Sequence, residues 1–305
     1  VLDIEKDCQI RIHTPRISPL DSGSLRNTIP PSSLSWGVRQ IGAPQAWKYA
    51  AGKNVKIGVI DTGADFTHPD LRASLARGIH VMQPHTLPMD DNGHGTHIAG
   101  IIAANGEKGI MGVAPQATIY PVKAFDQNGT AYVSDIIYGI DWCTRKQLDI
   151  INMSFGMNSR SQALHDAILA AYRAGLIIVT SSGNDGKKEN IDYPARFLCT
   201  IAVGATRKNR RIASFSNRGK GIDIYAPGDK ILSAWPGKSY RVLSGTSMAT
   251  SHVTGVIALA LSVNRRLRQK AIKSFIKNTA LPLKGKASLS SKEINAERLV
   301  KHCLA

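Results

Sequence analysis

The sequence predicts an α/β protein built on a mostly parallel central sheet with helices on both faces. Short, almost wholly apolar runs recur along the chain. Longer segments with helical spacing separate them, and small residues punctuate the joins. Strands buried on both faces read as continuous apolar runs, not as alternating ones, and strand–helix alternation is the signature of parallel strands joined by crossovers. At 305 residues, 43% hydrophobic and 20% charged, the chain can bury a sizeable core, and its composition excludes a disordered or collagen-like protein. The longest apolar stretch, Val253 to Val263, is too short for a bilayer span, so no transmembrane anchor is expected.

Taken in order, Val1 to Ile12 alternates apolar and polar residues, the pattern of a half-buried strand, and Thr14 to Ser35 is rich in Ser, Pro and Gly, as a linker is. Asn54 to Ile60 is a buried strand that opens into Asp61-Thr-Gly63. Helical spacing runs from His94 to Ala104, Ala117 to Val122 is a strand, and Val133 to Lys146 a helix. Asp149 to Met153 is again a buried strand. The helix that follows puts Leu164, Ile168 and Ala171 on one face and stops at Gly175, a residue suited to a helix C-terminus. Leu176 to Val179 and Cys199 to Val203 are apolar strands; Ser247 to Val263 is a long apolar helix and Leu267 to Lys277 an amphipathic one. Residues 1–35 therefore form an N-terminal extension and 36–305 one catalytic-sized domain.

Chemistry in such sheets gathers at the carboxyl ends of the strands. Three polar motifs fall there: Asp61 at a strand end, His94 in Gly-His-Gly-Thr-His at a helix start, and Ser247 in Gly-Thr-Ser-Met-Ala after a Gly. Each alone is commonplace, since a Ser before a helix is usually a cap. Together with Gly112-Val-Ala-Pro115, Asn152-Met-Ser154, Ser182-Gly-Asn184, Tyr193-Pro-Ala195, Ala226-Pro-Gly228 and Ile294-Asn295, they resemble the subtilisin-like serine proteases from Trp36 to Leu299. The chain order Asp, His, Ser is that of subtilisin itself, so its meaning here comes from the resemblance.

The resemblance implies a subtilisin-like fold and a serine endopeptidase working through an acyl-enzyme. Ser247 would be the nucleophile, His94 the base, Asp61 the group that holds the imidazole, and Asn184 the side-chain donor to the oxyanion. Gly129, Thr130 and Ala131 would form one substrate-binding strand and Ser154, Phe155 and Gly156 the other. His97 and His252 read as structural. Phe155 and Met157 are bulkier than the family's usual residues, and Asp185 beside Asn184 would favour basic side chains within an otherwise broad specificity. Ser251 stands where the motif usually has Pro, which predicts a more regular first stretch of helix.

No cofactor is expected for the chemistry. Asp70 matches a calcium ligand of many relatives, but the short Asn105 to Gly109 loop, with Lys108 among the expected oxygen donors, would weaken a structural calcium site. Residues 1 to 13 resemble the last strand of the family's inhibitory propeptide. The strand edges at 129–131 and 154–156 invite self-contact from the N-terminal segment, with Thr14 to Ser35 passing near the cleft, and cleavage between His13 and Ser35 would complete maturation.

The expected partners are protein or peptide substrates, met by a monomer that is secreted or at the cell surface, an intracellular location staying open. The 39 basic and 22 acidic residues give 39 − 22 = +17, with eight of the cations between Arg265 and Lys286. Without interleaved aromatics this implies a solvated face and no specific nucleic-acid partner. The four cysteines, Cys8, Cys143, Cys199 and Cys303, have neither metal-ligand nor scaffold spacing. A competing class is a non-catalytic relative acting as a binding or regulatory protein.

Overall fold

The computed structural model describes residues 4–13, 16–17, 29–285 and 291–305. Its centre is a sheet running in the order Leu281–Pro282, Lys292–Glu293, Ile224–Pro227, Ile201–Arg207, Ile177–Ser181, Ile150–Met153, Lys56–Asp61, Thr118–Lys123 and Ile79–His80. Every neighbouring pair from Lys292–Glu293 to Ile79–His80 is parallel. Leu281–Pro282 and an outlying Arg211–Ile212 strand add antiparallel edges.

Successive residues of the central strands feed two different cores. Ile57, Val59, Ile150, Ile177 and Ile201 face the first, and Ile60, Ile151, Ile178 and Met153 the second. That is why the strands read as unbroken apolar runs. The first core is closed by the helices His94–Ala103, Thr246–Val263, Gln269–Thr279 and Ala296–Leu304, and the second by Val133–Arg145 and Gln162–Arg173. Thr246–Val263 is long and apolar enough to cross a membrane, but it is buried along nearly all of its length in the first core. Ser251 lies within that uninterrupted helix, its hydroxyl donating to the Ser247 carbonyl at 2.9 Å.

From Asn54 onward the expected elements appear with their ends moved by a few residues, whereas of the strand expected over Val1 to Ile12 the described residues form only Gln9–Ile12. Beyond them, a hairpin of Ile231–Trp235 and Ser239–Ser244 leads into the Thr246 helix, and Ile224–Pro227 joins the sheet.

The N-terminal segment is docked on this body. Gln9–Ile12 lies between Thr130–Tyr132 and Phe155–Gly156, antiparallel to both, with Ile10 opposite Ala131, Arg11 opposite Thr130 and Ile12 opposite Phe155. Ile10 is 1% exposed and shares an apolar cluster with Phe125, Ala131, Val133 and Phe155. Upstream, Glu5 accepts from the backbone N–H groups of Gln162 and Ala163, and Asp7 from that of Ser134. Two carboxylates of the segment thus cap the first turns of two helices, where the unsatisfied amides and the helix dipole favour negative charge. The strand itself pairs with both edges, 129–131 and 154–156. Most of Thr14 to Ser35 lies outside the described residues; Arg16 and Ile17 pair with Ser244 and Leu243, shortly before Ser247 in the chain.

Candidate active site

Asp61 ends a central strand, and His94 opens a helix that crosses it. The two come together because residue 95 is glycine: a Cβ there would stand 2.1 Å from the Gly63 carbonyl oxygen and 3.2 Å from Asp61 Oδ1. Asp90 fixes the start of the helix. It accepts from the Gly93 and Thr96 N–H groups and from the Thr62 and Thr96 hydroxyls. Lys123, only 3% exposed, supports the same turn from below by donating to the Thr62 carbonyl and to Asp91. Neither Asp90 nor Lys123 stood out in the sequence, although an Asp a few residues ahead of a helix is a recognisable capping signal.

His94 Nδ1 lies 2.8 and 2.9 Å from the two oxygens of Asp61, both side chains being out of water. A carboxylate only accepts, so Nδ1 carries the proton and Nε2 presents its lone pair. Nε2 is buried and has no hydrogen-bond partner among the described residues. Ser247 sits in the first turn of the Thr246–Val263 helix, and its hydroxyl donates to the Ser154 carbonyl at 3.0 Å. At rest the hydroxyl is therefore bonded to a cleft strand, not to His94.

Asn184 follows the Ile177–Ser181 strand. Its Oδ1 accepts from both the N–H and the hydroxyl of Thr246 at 2.9 Å, which fixes the side-chain NH₂ as the opposite, donating end of the amide. His97 and His252 are fully buried and bond to backbone carbonyls. Burial holds their pKa values down at about 3 and about 4, so both are neutral.

The cleft strands 129–131 and 154–156 flank the docked segment on its two sides. Phe155 is wholly buried, its ring 5.0 Å from that of Phe125, so its side chain belongs to the second core. Asp185 pairs with Lys187 at 2.8 Å in a half-exposed position. Asp70, read in the sequence as a ligand of a weakened calcium site, is fully buried. Its carboxylate accepts from the N–H groups of Lys108, Gly109 and Ile110 and from the Tyr240 hydroxyl. A ring of donors presents hydrogens, not the six to eight oxygens that calcium takes, so these residues do not fit a cation. Among the described residues no His, Cys, Asp and Glu cluster could hold a metal.

A sequence model described as "Subtilase family" matches residues 52–298. The chain belongs to the subtilase family. It is 41% identical over 285 residues to M-protease of Shouchella clausii (strain KSM-K16), covering 93% of this chain and 74% of that protein. With Subtilisin Savinase of Lederbergia lenta the identity is 42% over 267 residues, covering 87% and 98% respectively. With Minor extracellular protease Epr of Bacillus subtilis (strain 168) it is 43% over 249 residues, covering 79% and 38%. This subtilase is a serine endopeptidase with protein substrates, and the family's chemistry requires no cofactor.

Proposed function

We propose that Ser247, His94 and Asp61 carry out the peptidase reaction of this subtilase. In the first half-reaction His94 Nε2 takes the Ser247 proton as Oγ bonds to the substrate carbonyl carbon. The same imidazolium then protonates the leaving amine as the C–N bond breaks. Water, deprotonated by His94, then attacks the acyl carbon, and the imidazolium returns the proton to Ser247 Oγ as the ester C–O bond breaks and the acid leaves. Asp61 holds Nδ1 throughout and stabilises the imidazolium. Asn184 Nδ2 and the amide groups at the start of the Thr246–Val263 helix would bind the oxyanion, where preorganised donors count most. The observation that carries this reading is the His94–Asp61 pair, which leaves Nε2 buried and available. All of these groups come from one chain, which supports action as a monomer.

The substrate joins as an added strand between 129–131 and 154–156, with main-chain bonds supplying affinity. What supports this is that Gln9–Ile12 uses those same two edges. Residues 1–35 then act as a tethered inhibitor of a catalytic body spanning 36–305, at the high effective concentration that a short connection gives. A bond between His13 and Ser35 would be the maturation site. Secretion is supported by the likeness to a protease named as extracellular.

A fluorophosphonate probe tests the core of the proposal. Covalent labelling of the parent that disappears in Ser247→Ala is expected. A folded parent that does not label would favour the non-catalytic reading. Deleting residues 1–31 should lower the apparent KM for a small peptide, with kcat little changed, relative to the uncut parent. An unchanged KM with a lower Tm would mean the segment only stabilises.

A further inference from the structure

The strand Gln9–Ile12 leaves the cleft through His13, and that side chain turns into a small recess beside the Ser154–Gly156 strand. The recess is built tightly. A Cβ on Gly156 would stand 2.4 Å from His13 Nε2 and 2.9 Å from Asp192 Cβ, and a Cβ on Gly183 would stand 2.4 Å from Asp192 Oδ2. Asp192 forms the far end. His13 Nε2 lies 3.0 Å from Asp192 Oδ2, and His13 Nδ1 lies 2.8 Å from the Ser181 hydroxyl. Both side chains are less than a tenth exposed.

A carboxylate this far from water requires a partner. Asn217 Nδ2 reaches the other oxygen only at 3.5 Å. The nearby cation Lys187 is committed to Asp185, and Arg196 is stacked 4.9 Å from the centre of the Tyr193 ring. Among the described residues, the one ionisable side chain within ion-pair distance of Asp192 is His13, a cation only when protonated, and it is supplied by the segment that occupies the cleft. Once that segment leaves, the recess presents the Asp192 carboxylate to whatever side chain follows, and a side chain that fills the recess buries it again.

We infer that Asp192 selects a basic side chain, Lys, Arg or protonated His, on the acyl side of the bond that this protease cuts. The inference rests on the proposed cleft and narrows its specificity. An apolar side chain in the recess would leave Asp192 desolvated and unpaired, whereas a cation would take the place of the His13 imidazole and pair with the carboxylate. A site built for a polar partner rejects a substrate lacking it far more strongly than an apolar pocket rejects a misfit. Asp185, the acidic residue that the sequence singles out for this role, pairs with Lys187 in a half-exposed position.

The test uses the full chain and two internally quenched peptides that differ only in Lys or Phe at that position, offered in competition. The ratio of their kcat/KM values is insensitive to any competitive block by the N-terminal segment. A preference for Lys of roughly 100-fold is expected, falling to a few-fold in Asp192→Asn. Fluorophosphonate titration counts the active sites in each protein, and Asp192→Ser serves if the Asn variant does not label. A parent ratio near or below one, or a Lys preference that survives both substitutions, overturns the inference while labelling leaves the triad standing. A parent that does not label overturns the triad, and this inference with it.

Discussion

Truncating Ile10 measures how firmly the N-terminal strand holds the cleft. Ile10 is 1% exposed in the cluster with Phe125, Ala131 and Phe155, and Ile10→Ala removes three carbons from that contact. At about 0.8 kcal/mol per buried carbon, the docked state loses about 2–3 kcal/mol relative to the undocked one. With tenfold per 1.4 kcal/mol, the undocked fraction rises about 30- to 150-fold. The backbone bonds of the strand and the caps made by Glu5 and Asp7 are untouched, so the segment still docks, only more weakly. The Ile12 amide donates to the Gly129 carbonyl at 3.0 Å and reports each opening directly. Hydrogen exchange at Ile12 in a Ser247→Ala background, which removes self-cleavage, should quicken by that factor, while exchange at Ile151 in the central sheet stays unchanged. Equal Ile12 exchange with and without Ile10 would refute the idea that apolar burial anchors the segment.

In peptide hydrolysis, Ser247→Ala and His94→Ala should each remove nearly all turnover, and the double variant should be scarcely worse, because the groups act as a unit. Additive losses would count against the assignment. Glu293 is buried against Thr206 and Gln40, and burial pushes its pKa up to about 7. The folded state therefore holds a proton that the unfolded state releases near 4.5. Stability from this group is full at low pH and is lost, by up to about 3 kcal/mol, as pH rises through 7; urea titrations from pH 5 to 8 should show that decline and its loss in Glu293→Gln. Because donors fill the Asp70 carboxylate, EDTA should leave Tm unchanged while Asp70→Ala lowers stability by about 3 kcal/mol. A large shift on chelation would show that a cation binds after all.

The central sheet was legible because both of its faces are buried. Ile57-Gly-Val-Ile60 and Ile150-Ile151 carry a strand's signal in their composition alone. The Ile231–Ser244 hairpin was not, since Ser233, Trp235, Lys238 and Arg241 interrupt any single period. The motif residues at the site could be recognised from sequence because each lies in a short, distinctive string. Asp192 could not: its partner His13 is 179 positions away, and only the folded topology brings the two into one recess. The surroundings of Asp70 were hidden for a related reason, as a carboxylate in sequence does not reveal whether oxygens or amide hydrogens will face it. The ion pair of Asp185 with Lys187, two residues on, was within reach of the sequence.

The Thr246–Val263 helix carries Ser247 at its first turn and is enclosed by the core along almost its entire length. Its neighbours His94–Ala103 and Ile177–Ser181 bring His94 and Asn184 and are just as enclosed. Such a site has no soft region of its own to lose. On heating, the last active molecule and the last folded molecule should disappear at the same rate, set by crossing the barrier to global unfolding. The shelf life of the enzyme then becomes a property of the whole core, and substitutions far from Ser247 that slow unfolding will lengthen it as surely as any made beside the serine.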